Sequence, residues 1–295
     1  MTLTVILSLL AATCFGVASV LQHHGALRAR RRTPLHPGLM VELVGKPSWL
    51  AGVVAQAAGV TLHLVAVNVG RLSVVQPLLT TGLVVALVLQ RLAGRRVSQH
   101  AMLAAGLVVV GLALFLAVTP GGQPDVPADA EAWTPGLALA VVVLAGTLGG
   151  GFLLRGAARC VCLGASAGVL MATSAALGKA WGAVLGAHGV VGLATSWQLW
   201  AALACGAGGT MLSQAAFQAG PLGGSLAAMM AIDPVIGVGL GVVVYGEPFA
   251  TAHTAGERCL GLALTLVGVW LLAMAQRDPG SHRAVVGSGA RRSES

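Results

Sequence analysis

Long apolar runs divided by short polar breaks dominate this chain. Nine runs stand out, at residues 2–22, 49–69, 72–92, 100–119, 135–154, 161–185, 197–219, 222–245 and 259–275. A helix rises about 1.5 Å per residue, so about 20 apolar residues cross a hydrocarbon core of about 30 Å. The pattern therefore predicts an all-α polytopic membrane protein of about nine transmembrane helices. The last helix is expected to begin nearer His253, because Glu257 and Arg258 lie at its outer end. The first break runs from Arg28 through Pro34 and Pro37 to Lys46-Pro47, and prolines in series predict a loop there.

Composition agrees with that reading. Hydrophobic residues make up 56% of the chain and charged residues 9%, against about 25% charged in a soluble domain. One membrane domain is expected over 1–276, followed by a disordered, basic, Gly/Ser/Arg-rich cytoplasmic tail over 277–295. The net charge of +8 does not point to nucleic acid. The arginines cluster in breaks between apolar runs, as in cytoplasmic loops facing acidic lipid headgroups. Arg28 to Arg32, Arg91 to Arg96, Arg155 with Arg159, and the tail fall on one side, while Asp125, Asp129 and Glu131 fall on the other, with Arg71 and Arg258 as the exceptions there. This bias predicts a plasma-membrane protein with its N-terminus outside and its C-terminus in the cytoplasm. The first run lacks the preceding positive charge of a signal peptide and is expected to remain as a span. The cysteines number 5, and they predict neither a disulfide framework nor a zinc site.

A weak internal repeat overlies this layout. Residues 62–116 and 212–272 share a sequence of span, tight Gly turn, long span, charged turn and span. The turns are Gly70-Arg71-Leu72 and Gly220-Pro221-Leu222, then Gly94-Arg95-Arg96 and Gly246-Glu247-Pro248. Spans one to four (1–119) would match spans six to nine (161–276), with 135–154 as a connecting helix. One connector after an even number of spans inverts the second unit. Inverted four-helix units meeting at a midplane site are a common build of secondary transporters.

Asp233 is the leading candidate site residue. It lies near the middle of the 222–245 run, where a carboxylate costs about 3 kcal/mol on insertion scales. Pro234 follows it and removes a helical hydrogen bond to the Met230 carbonyl. Such an acid and break belong where protein or a water-filled cavity surrounds them. Lys179, a base past the middle of the 161–185 run, either snorkels to the outer interface or, facing inward, pairs with Asp233 or holds an anionic substrate group. Gln76, Asn68, Gln214 and Gln218, with Gln56 and His63, are midspan groups that either bond neighbouring helices together, the commoner use, or supply hydrogen bonds along a substrate or proton pathway. Glu247 reads as an interfacial carboxylate at the end of its helix. The Gly237-x-Gly-x-Gly241 and Gly149-Gly-Gly151 clusters lie in apolar spans and read as sites of close helix packing, not phosphate loops.

The 222–249 stretch, with Asp233-Pro234 and a closing Gly246-Glu247, resembles the signature helix of the drug/metabolite transporter (EamA-type) superfamily. The overall layout resembles a relative of that group, the NIPA-type magnesium transporters. The resemblance rests on nine spans, an outside N-terminus, the basic stretch from Leu21-Gln-His-His to Arg32, and Leu72-Ser-Val-Val-Gln-Pro-Leu-Leu79. Arg95 and Arg96 stand at the first-half turn where such families often carry an acid.

These features lead to a secondary transporter moving a small polar solute by alternating access, with Asp233 as a proton carrier. One alternative is a magnesium or other divalent-cation transporter, in which Asp233 would be the metal ligand. Another is a non-transporting membrane scaffold or accessory subunit. No catalytic constellation appears in the breaks, so neither an enzyme nor a cofactor is expected.

Overall fold

The computed structural model describes residues 2–30, 37–69, 75, 78–95, 97–117, 130–246 and 254–275. Among them lie α1 (Thr2–Arg28), α2 (Pro37–Val44), α3 (Pro47–Val69), α4 (Gly82–Leu92), α5 (Gln99–Ala117), α6 (Ala130–Leu153), α7 (Gly156–Lys179), α8 (Trp181–Thr195), α9 (Trp197–Ala219), α10 (Leu222–Tyr245) and α11 (Ala255–Ala275). The protein is all-helical. Six of these helices are long and apolar enough to cross a membrane, and up to eight spans result if each of two bent pairs counts as one. A further apolar helix, Leu78–Leu92, is shorter, and the 72–77 stretch expected to lengthen it lies mostly outside the described residues. So do Gly70 to Leu72, Asp125, Asp129, Glu247, His253 and the 277–295 tail.

The surface has the pattern of a membrane protein. Large apolar side chains point outward along the helices: Ile6 and Leu10 on α1, Val141 and Val142 on α6, Trp200 and Leu203 on α9, and Leu266 and Trp270 on α11. Continuous exposed apolar surface of this kind marks contact with another apolar phase, here lipid.

Two expectations are corrected. The break after α1 is not all loop, because α2 forms within it and meets the following helix at 89°. Pro37 and Pro47 are each the first residue of a helix. A missing N–H costs nothing there and the fixed φ favours helix, so the prolines separate helices without preventing them. The 161–185 run is also not one helix. α7 ends at Lys179, and α8 begins two residues later after a tight turn in which Ala180 N–H bonds the Leu177 carbonyl at 3.2 Å. α8 is broken at Gly189, whose φ of 65° is open to glycine and strained for other residues. It meets α9 at 62°. Smaller differences lie at the ends: α1 continues to Arg28, and α11 starts at Ala255.

Contacts between helices reveal their relative directions. A Cβ on Gly52 of α3 would lie 3.0 Å from the Ala18 carbonyl of α1, and one on Gly25 would strike Trp49, so α1 and α3 are antiparallel. A Cβ on Gly82 would lie 2.9 Å from the Ala12 carbonyl, and one on Gly16 2.8 Å from Val85 Cγ1, so α1 and α4 run parallel. The same relations recur later. Ser174 Oγ donates to the Ala202 carbonyl at 2.8 Å, while Gly209 adjoins Ala167, making α7 and α9 antiparallel. Gly164 adjoins Ser225 and Tyr245 Oη donates to the Ala176 carbonyl at 2.7 Å, making α7 and α10 parallel.

One further relation joins the halves. Gln214 of α9 bonds Gln22 of α1, and Gln218 bonds Ala26, so α1 and α9 run parallel. Since α7 opposes α9, it also opposes α1. The second set of helices therefore stands inverted relative to the first. α5 and α11 cross antiparallel, with a Cβ on Gly111 2.6 Å from Thr265 N and one on Gly268 2.9 Å from Val108 N.

These directions place the ends of α1, α4 and α9 and the starts of α7 and α10 at one pole of the bundle. Arg28, Arg91, Arg95, Arg155 and Arg159 gather there, and Glu131 and Glu257 lie toward the other pole.

Candidate functional site

α10 is the helix on which both halves meet. Its residues Leu222, Leu226, Met230, Asp233 and Gly237 follow one another at helical spacings of three and four, so they form one stripe. Leu222 and Leu226 belong to a buried cluster with Leu83, Ala86 and Leu87 of α4 and Ala104, Ala105 and Val108 of α5, and Met230 packs against it. That stripe faces the first half. Further along, Ile236, Leu240 and Val244 join a second cluster with Trp133 and Ala140 of α6, Val169 of α7 and Ala202 of α9. Asp233 and Pro234 fall between the two clusters and belong to neither.

Burial changes along the same helix. Residues 222–228 are buried without interruption, whereas Asp233, Pro234 and Gly237 are half-buried. A Cβ on Gly237 would meet nothing within 4 Å. One turn beyond Asp233, then, the stripe borders unfilled space. Among the described residues, no side chain hydrogen-bonds or ion-pairs with the Asp233 carboxylate. A carboxylate with no partner among these residues can exchange a proton or accept a donor from a solute.

Two glycines of α7 fix the height and closeness of α10. A Cβ on Gly164 would collide with the Ser225 carbonyl; one on Gly168 would collide with Ile232 Cγ2 and lie 2.7 Å from the Met229 carbonyl and 3.3 Å from Asp233 N. Small residues four apart let two helical backbones touch. Here the touching point is Met229 to Ile232, the turn just before Asp233. Pro234 sits inside a helix that continues unbroken to Tyr245 and stops at Gly246. The left-handed φ of 63° at Gly246 lets its N–H return to the Gly241 carbonyl.

The expected pathway residues are not all gathered here. Lys179 is the last residue of α7, about three turns or roughly 16 Å past Gly168 at 1.5 Å per residue, rather than deep within a span. Gln214 and Gln218 lie at the arginine-rich pole and bond α1, not the Asp233 level. Gln56 is exposed and His63 half-buried. Gln76 and the Asn68 side chain lie outside the described residues. Of the glycine cluster on α10, Gly241 is buried and a Cβ on Gly239 would touch Leu139 at 3.4 Å, as close packing requires, whereas Gly237 is open. Gly164 and Gly168 were not singled out from sequence, though their four-residue spacing is a readable signal. Among the described residues no group of three His, Cys, Asp or Glu side chains converges in the manner of a metal site.

The fold and this site define a class: a multi-pass α-helical membrane protein with two mutually inverted sets of helices and an intramembrane acid, Asp233, on the helix that packs against both. No family model matches the chain, and no solved structure matches it. It is 30% identical over 278 residues, 93% of this chain and 95% of the relative, to an uncharacterized protein of Corynebacterium glutamicum. The chain belongs to the family of that protein, and the likeness runs nearly end to end in both.

Proposed function

We propose that this protein is a secondary transporter of the drug/metabolite transporter type, moving a small polar solute by alternating access with Asp233 in its pathway. The observation that carries the reading is the Asp233–Gly237 face of α10. It continues the stripe whose Leu222, Leu226 and Met230 pack on the first half, a Cβ on Gly237 would meet nothing within 4 Å, and its carboxylate has no partner among the described residues. An acid inside a membrane bundle is costly and is retained mostly for solute or proton pathways. Inverted halves meeting at such an acid support the same reading. A titratable carboxyl at that level supports proton coupling. A magnesium pathway is a second reading, favoured by the unpaired carboxylate, since Mg2+ is held by one or two carboxylates while keeping several waters.

The gathering of Arg28, Arg91, Arg95, Arg155 and Arg159 at one pole supports a cytoplasmic location for that pole and an outside N-terminus. A membrane-impermeant thiol reagent applied to intact cells should label Glu131→Cys and leave Arg28→Cys unlabelled, each in a cysteine-free chain. Labelling of Arg28→Cys from outside would reverse the orientation.

The test of function is a thermal-shift screen of purified protein against metabolites and Mg2+, because a ligand that binds the folded state raises its Tm. A ligand at Asp233 should shift the wild-type protein and fail to shift Gly237→Leu. That variant fills the adjoining space without colliding with its neighbours, so its own Tm should change little. A ligand that shifts both proteins equally binds elsewhere. A protein that binds no solute and shows no flux in proteoliposomes is the scaffold or accessory subunit instead.

A further inference from the structure

We propose that the amides joining α1 to α9 form a latch that closes the arginine-rich pole of the bundle and must open for the Asp233 level to communicate with that side. This rests on the transport reading of Asp233.

Three hydrogen bonds and a ring contact make up the latch. Gln214 Nε2 donates to Gln22 Oε1 at 2.9 Å. Gln218 Nε2 donates to the Ala26 carbonyl at 3.0 Å and to the Arg30 carbonyl at 3.3 Å. The edge of the His23 ring meets Phe217 at 5.9 Å between centroids. Gln214 and Gln218 are 0% and 7% exposed, so water does not compete for these bonds. They also join the two inverted halves: α1 belongs to the first and α9 to the second.

The latch is tied to a third element. Arg30 N–H donates to Glu42 Oε1 of α2 at 2.9 Å, so the backbone of Arg30 is held by Gln218 on one side and by α2 on the other. α2 stands at 89° to α3 and buries Leu39 and Leu43 in the cluster that also holds Phe217, Leu222 and Leu226. It is a strap across the pole. Beneath it, α10 is buried on all sides over residues 222–228. Among the described residues, α10 is covered between Asp233 and this pole, so on this proposal α1 and α9 part to connect the two.

The chemistry suits a reversible closure. All the partners are neutral amides and carbonyls, with no ion pair across the α1–α9 seam among the described residues. Interhelical hydrogen bonds between such groups in a bilayer are individually weak, so a few together bias an open–closed equilibrium without locking it. Gln214 Oε1 is buried without a hydrogen-bond partner among the described residues, which leaves the closed arrangement short of one bond that water could supply on opening.

The experiment places a single reporter cysteine at Gly237, where a side chain has room, in a chain whose Cys14, Cys160, Cys162, Cys205 and Cys259 have been replaced. Membrane vesicles of both orientations are treated with an impermeant methanethiosulfonate, and the labelling rate is read from each face. With Gln214→Leu and Gln218→Leu together, labelling from the arginine-rich face should rise on the order of tenfold, the response to losing a few weak bonds. Labelling from the opposite face should not rise. An unchanged rate, or an equal rise from both faces, overturns the latch and leaves the amides as static packing contacts. In a separate arm, a Gln22→Cys/Gln214→Cys disulfide should suppress labelling from the arginine-rich face, and a reductant should restore it. If the cross-link leaves that rate untouched, the latch is likewise refuted. No solute is needed for either arm, so absence of transport and absence of the latch are separate results.

Discussion

Gly168→Leu is expected to destabilise the protein by about 3 kcal/mol, at the upper end for overpacking a filled site. The cause is a contact with both side chain and backbone. Even a Cβ at this position would collide with Ile232 Cγ2 and lie 2.7 Å from the Met229 carbonyl, and neither helix can yield without losing contacts along its length. α7 and α10 must separate, which shifts Asp233 and opens the Gly164–Ser225 contact below it. Gly146→Ala is the internal comparison. Gly146 also lies within a helix, α6, but a Cβ there meets nothing within 4 Å, so the gain in helix propensity should stabilise by up to about 1 kcal/mol. Detergent-solubilised variants, heated and scored by size-exclusion chromatography, give both Tm values. Equal Tm values for Gly168→Leu and wild type would show that the α7–α10 contact is not close in solution.

The sequence made the membrane spans and Asp233 legible because both depend on local properties. Apolar length sets a span, and an acid in its middle is conspicuous whatever surrounds it. Direction was also legible, since the arginine bias and the turn pattern imply alternate crossings that the parallel and antiparallel contacts obey. Pairing was harder to read. Gln214 and Gln218 looked like midspan pathway groups, yet they bond residues about 190 positions away on α1, which local spacing cannot disclose. Lys179 looked internal to a span because the apolar run continues past it to Leu185; the break at Ala180 comes from chain geometry that hydropathy does not record. The prolines at 37 and 47 illustrate a different limit. The residue that forbids a helix interior also favours a helix start, and only the neighbouring fold decides which applies. Gly168 and Gly237 show the same ambiguity, one closing a contact and the other leaving a space.

Asp233→Asn is expected to abolish gradient-driven uptake in proteoliposomes while sparing solute exchange between equal concentrations. In a proton-coupled carrier the carboxyl must alternate between charged and neutral forms as the site turns from one face to the other. The amide imitates the neutral form in shape but cannot release a proton, so the coupled cycle stops while the solute-loaded exchange step remains. A magnesium pathway gives another pattern. There the substitution removes the main anionic ligand, and driven flux and exchange should fall together. Glutamate at the same position separates the cases further. It keeps the proton but adds a methylene toward the space beside Gly237, so a proton-coupled carrier should retain partial driven uptake, whereas both activities remain low in Asn for the dication. Lys179→Met is a control for distance. From about three turns along α7, Lys179 should alter neither pattern as strongly as Asp233 does. If it does, with an anionic solute impaired and a dication favoured, Lys179 approaches the pathway during the cycle. Wild-type activity of Asp233→Asn toward every transported solute would remove Asp233 from the pathway and with it the transport reading of this seam.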